Sequence, residues 1–139
     1  MNVSATITMQ PDAEDLENVF AAVEAFAERA EWPMKLVFQA KLILEEMALN
    51  VINYGGVEGD EPIGITLKTE DDTVTIEIRD AGQPFDPVKD APTPDLSLEL
   101  EERPIGGLGL YLVRTMVDEM HYRRHEGYNH ITLITRRLA

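Results

Sequence analysis

The sequence predicts an α+β domain in two layers, a mixed, mostly antiparallel sheet covered on one face by three helices. Three observations carry that expectation. Apolar and polar residues alternate near both ends of the chain and in its middle, as half-buried strands require. Between these stretches, apolar residues recur at helical spacing. The resulting order is strand, helix, helix, strand, strand, helix, strand, strand, which suits a sheet with its helices gathered on one side.

The elements follow in turn. Residues 1–10 alternate through Val3, Ala5, Ile7 and Met9, a strand pattern. Pro11-Asp12 opens a helix in which Leu16, Val19, Phe20, Val23, Phe26 and Ala30 share a face, ending near Trp32-Pro33. A second helix runs over Met34–Tyr54, with Val37, Ala40, Leu44, Met47, Ala48 and Val51 apolar, and Gly55-Gly56 stops it. Strands are expected at residues 63–69 and 73–80, joined by a Glu70-Asp71-Asp72 turn. From Pro84 to Pro104 the pattern collapses into proline and acid, so residues 86–105 read as a long lid loop. Order returns at IGGLGLYLVRTMVDEM, a glycine-rich entry to a third helix. Residues 120–126 and 129–138 close the chain as a strand pair around Gly127-Tyr128.

Composition narrows the function. A chain of 139 residues without internal repeats reads as one domain, residues 1–139. Its net charge of −14 argues against direct nucleic-acid binding, which needs a basic surface. No apolar run is long enough to span a membrane, and the N-terminus lacks the pattern of a secretory signal. Zero cysteines exclude disulfides and thiolate metal sites and fit a cytoplasmic protein. Three histidines cluster late in the chain, but His121 and His125 stand four apart on a predicted strand, where same-face neighbours are two apart. A metal site there is not expected. No Ser/His/Asp constellation is visible.

Three stretches carry polar residues that a plain core does not need. In LEEMALNVINYGG, Glu46, Asn50 and Asn53 fall on one helical stripe, away from the apolar one. Lys35 and Gln39 share that stripe, so a solvated face is one reading. The other is a metal-and-base platform. An Asn oxygen is a hard neutral ligand suited to Mg²⁺ when phosphates supply the negative charge, and a carboxylate one turn away can activate a hydroxyl. In IEIRDAGQPFDP, Asp80 ends an alternating strand just before Gly82. It could simply start a turn, or accept a hydrogen bond from an amine such as adenine N6. In GGLGLYLVR, glycines precede a helix, either packing tightly or freeing backbone N–H groups to meet an anion. The stretch fits neither the Walker pattern nor GxGxxG.

Together, and in this order across a lid, EEMALN, DAGQP and GGLGLYLVR resemble the boxes of the GHKL ATPase superfamily, which includes histidine-kinase catalytic domains. The resemblance covers essentially the whole chain, with residues 1–31 its least diagnostic part. It implies the two-layer Bergerat-type sandwich, with ATP and Mg²⁺ as cofactors. The wording DAGQPFDP is most similar to the bacterial anti-sigma-factor serine kinases of the RsbW-like branch. That branch implies a protein that binds a sigma factor and phosphorylates a serine on a STAS-domain anti-anti-sigma partner.

By position, the resemblance implies Glu46 as general base and Asn50 as the Mg²⁺ ligand, with Asn53 beside it at the nucleotide. Asp80 would read adenine, Gly82 would give the ring room, and backbone amides of Gly107, Leu108 and Gly109 would hold the phosphates. Thr132, on the last strand, would assist at adenine, although NHITLIT departs from the usual G-T wording. Asn53-Tyr54 stands where many relatives carry a histidine, and the lid is more acidic than basic. Relatives often dimerise through the sheet, which makes the first strand a candidate homodimer edge. The alternative function is an ATP-binding module that sequesters a regulator without phosphotransfer. A histidine-kinase catalytic domain acting on a separate phosphoacceptor is a third reading, which the DAGQPFDP wording fits less well.

Overall fold

The computed structural model describes residues 2–54, 61–87 and 107–136. Its elements are β1 (Asn2–Met9), α1 (Leu16–Ala30), α2 (Met34–Tyr54), β2 (Ile63–Glu70), β3 (Thr73–Asp80), α3 (Gly107–Met116), β4 (Glu119–His125) and β5 (Tyr128–Arg136). The five strands form one sheet in the order β1-β2-β3-β5-β4. Every described pairing is antiparallel, so the parallel component allowed for in the expected mixed sheet is not found among the described strands. The predicted lid lies largely outside the described residues.

Strand parity decides which way the sheet faces. Val74, Ile76, Ile78 and Asp80 alternate as the buried residues of β3, and Asn129, Ile131 and Leu133 as those of β5. A period of two puts each set on one side of the pleat. That side meets the apolar stripes of α1 and α2 in a single core cluster. Leu44 and Met47 of α2 are almost fully enclosed there. On the opposite side of the sheet, residues such as Arg79, His121 and Arg123 are open to solvent.

Local chemistry sets the boundaries. Asp12 caps a 3-10 turn, Ala13–Asp15, by accepting from the Glu14 N–H at 3.0 Å, and α1 begins only after it. Helix α1 ends where Glu31 turns left-handed at φ 58° and the Trp32 N–H returns to the Ala27 carbonyl at 2.9 Å. This is a Schellman-type stop. It turns Trp32 into the core, edge-on to Phe26 with ring centroids 5.3 Å apart, where its Nε1–H donates to buried Thr69 Oγ1 at 2.8 Å. The last hairpin turns at Glu126-Gly127, both at positive φ, and not at the expected Gly127-Tyr128. Two such residues in succession fit the tight turn whose twist matches the strands it joins.

Candidate active site

The third strand ends by carrying a carboxylate into the core layer. Asp80 shares the helix-facing side with Ile78 and is only 4% exposed. A buried charge without partners is costly, so its contacts matter. Both donors found among the described residues go to Oδ1, the Gly82 N–H at 2.9 Å and Asn129 Nδ2 at 3.1 Å. No described residue donates to Oδ2.

Asn129 is the organiser of this corner. It stands opposite Asp80 in the β3–β5 register and is itself 3% exposed. Besides Asp80, its Nδ2 donates to the Gln83 carbonyl at 2.8 Å, while its Oδ1 accepts from the Tyr122 hydroxyl at 2.6 Å. Arg124 Nη1 donates to the Gly82 carbonyl at 2.7 Å. The Asp-Ala-Gly turn is therefore tied down by both β5 and β4. The side chains of Met47, Asn50, Ile78, Asp80, Asn129 and Ile131 help to line a narrow cleft beside it. Truncating Asn129 to Ala strands several buried polar groups. We expect a loss of about 1–3 kcal/mol in stability, read as a lower urea midpoint.

Sequence reasoning missed Asn129 and chose Thr132 in its place. The two are three positions apart, and an odd separation puts them on opposite faces of a strand. Thr132 lies on the open side, across from Glu77 and His121 and away from the cleft. The signal for Asn129 was present: it takes the buried parity of Ile131 and Leu133, where a polar residue needs a partner.

On α2, Asn50 reaches the cleft wall, half-buried, whereas Asn53 is exposed and outside that lining. Glu46 sits one turn before Asn50, against the start of α3. A Cβ built on Gly109 would overlap Glu46 Oε2 and stand 2.7 Å from Cδ, so only glycine leaves the carboxyl room. Burial raises the Glu46 pKa above its ordinary value, and the neighbouring Glu45 charge adds to the shift. Gly107, Leu108 and Gly109 do not precede the helix as expected; they form its first turn. Their N–H groups lie among those a helix leaves without intrahelical partners, next to the dipole's positive end.

The residues suit Mg²⁺ only as a nucleotide-bound ion. Asn50 offers one neutral oxygen at the cleft, and the described residues include no cluster of three or more acidic or histidine ligands. A hard cation held so lightly by protein takes its remaining charge from phosphates.

Residues 9–135 match the family model described as a histidine kinase-like ATPase domain. The chain is 31% identical over 134 residues to the serine/threonine-protein kinase BtrW of Bordetella bronchiseptica, covering 96% of this chain and 89% of that one. It is 31% identical over 90 residues to the serine-protein kinase RsbW of Bacillus cereus, covering 63% of this chain and 56% of that protein. The serine-protein kinase RsbW of Halalkalibacterium halodurans matches at 26% over 124 residues, 87% of this chain and 76% of that one. Among solved structures, the RsbU and RsbW domains of a Mycobacterium tuberculosis protein align with a TM-score of 0.65. That alignment covers 96% of this chain and 32% of the other at 16% identity, a likeness of fold.

Proposed function

The chain belongs to the histidine kinase-like ATPase family, and we propose that it is a bacterial anti-sigma regulatory factor with ATP-dependent serine-protein kinase activity. Its substrate is a serine on a STAS-domain anti-anti-sigma protein, and its other partner is a sigma factor or similar regulator. The observation that carries this reading is the placement of Glu46. Its carboxyl lies against the first turn of α3, one helical turn from Asn50 at the cleft. Nucleotide binding alone does not need a carboxylate there.

Each residue then has a task. Asp80 Oδ2 accepts from the adenine amino group, with Asn129 and the Gly82 N–H holding the carboxylate in place. The amides of Gly107, Leu108 and Gly109 face the phosphates. Asn50 would hold Mg²⁺ together with the phosphates, where the ion would neutralise charge on the triphosphate. Asn53, exposed one turn on, meets the outer part of the nucleotide. Glu46 takes the proton from the partner's serine hydroxyl as its oxygen bonds to the γ-phosphorus and the bond to the ADP oxygen breaks.

Several broader features accord with this reading. The family match supports one ATP-binding domain over residues 1–139. The regulator proposed is cytoplasmic; no described helix is long and apolar enough to cross a membrane. Among the described strands the outer edge of β1 has no neighbour, and it is the proposed homodimer seam.

The test is transfer of label from γ-labelled ATP to a serine of a STAS-domain partner. Label on that serine supports the kinase; ATP binding without label supports the second reading, sequestration without phosphotransfer. The acidic stretch DAPTPDLSLELEE favours that alternative, because it would repel a triphosphate. Gly109→Ala probes the same site. The least costly response is for the flexible Glu46 side chain to swing away. We expect phosphotransfer to fall by about 10²-fold, with little change in the unfolding midpoint.

A further inference from the structure

The side of the sheet that no described helix covers carries a row of basic side chains. Arg79 pairs with His130 across β3 and β5, and Arg123 pairs with the same His130 across β4 and β5. His121 and His125 flank the row on β4, so all three histidines of the chain are gathered here. The rings of His125 and His130 are 6.4 Å apart. In a chain of net charge −14, acidic residues were abundant enough to relieve the row. Yet neither Arg79 nor Arg123 forms an ion pair among the described residues.

The row is also held ready. Arg79 lies over the Tyr128 ring at 4.6 Å, which fixes its guanidinium beside His130. The acids described nearby are engaged elsewhere: Glu77 with Lys68 at 3.1 Å, Glu119 with His121 at 3.1 Å and Glu126 with His125 at 3.6 Å. A shallow cavity of about 290 Å³ runs between Glu77, His121, Arg123, His130 and Thr132. Burial and then the Arg123, His125 and Arg79 charges hold the His130 imidazole below its ordinary pKa. What is left without a carboxylate partner among the described residues is the pair of guanidinium groups, Arg79 and Arg123.

We propose that the row Arg79–His130–Arg123, on the sheet face that no described helix covers, docks an acidic polypeptide segment of a partner protein. The two arginines stand on the strands either side of β5, so their backbones are about 10 Å apart. One small anion cannot serve both ends well. Carboxylates at alternate residues of an extended segment lie about 7 Å apart, and their side chains span the rest. This surface is on the opposite side of the sheet from the cleft, and it does not depend on nucleotide.

The experiment is a titration of the ¹⁵N-labelled full chain with a decaglutamate peptide, followed by amide and histidine-ring NMR signals. We expect saturable shifts at Arg79, Arg123, His121, His125 and His130, with α1 and α2 unmoved. Arg79→Gln with Arg123→Gln should weaken binding about tenfold while the helix signals stay in place. Absent shifts, shifts spread over the helices, or binding that survives the double substitution would overturn the proposal. So would equal shifts from inorganic phosphate, which mark a small-anion site. Shifts produced by raising the protein concentration alone would assign the face to a second copy and overturn it as well.

Discussion

Glu46→Gln is expected to keep nucleotide affinity and lose phosphotransfer. Glutamine has nearly the same shape, so the contact with the first turn of α3 survives. It cannot accept a proton from serine. A positioned general base contributes about 10²–10⁴-fold, and the turnover rate should fall within that range while the ATP dissociation constant stays put. Undiminished labelling of the partner would remove Glu46 from the role. The pH profile gives an independent check. Burial and the Glu45 charge raise the Glu46 pKa, so the carboxyl stays protonated to a higher pH than an ordinary glutamate. Activity should therefore rise with pH along a limb displaced upward from the usual carboxylate range. Glu45→Gln removes one cause of the shift and should move that limb back towards lower pH.

Asp80→Asn should weaken ATP binding by about 10–100-fold, since a hydrogen bond to a charged acceptor contributes about 1.5–3 kcal/mol. The fold should tolerate the change. The amide oxygen can still accept from the Gly82 N–H and Asn129, while the new NH₂ group takes the place of Oδ2. That NH₂ would face the adenine amino group, donor against donor. Calorimetry with ATP and GTP reads both consequences: ATP affinity falls and the preference over GTP narrows. Equal affinities before and after substitution would take Asp80 out of base recognition.

How far the sequence led can be followed residue by residue. Periodicity was enough for the strands and for the 21-residue α2, because a half-buried strand and an amphipathic helix repeat over many residues. Asp80 was legible because a carboxylate on the buried parity of β3 interrupts an apolar series. The Glu46 stripe was legible only as alternatives, since a solvated helix face has the same spacing. Asn129 was not recognised, because its partner is set by strand register. That register rests on a turn one residue earlier than expected, at Glu126-Gly127. A shift of one residue reverses every side chain's face. The close approach of Gly109 to Glu46 joins two helices distant in the chain, and local pattern cannot reveal it.

The most direct test of the central claim is calorimetric titration of the intact chain with ATP, with and without Mg²⁺, beside Asn50→Ala. The expected result is a dissociation constant no weaker than about 1 mM with Mg²⁺, marked weakening without it, and loss of that Mg²⁺ dependence in the variant. No detectable binding by the unmodified chain would contradict it, and would make the cleft a protein-interaction surface on a nucleotide-binding fold.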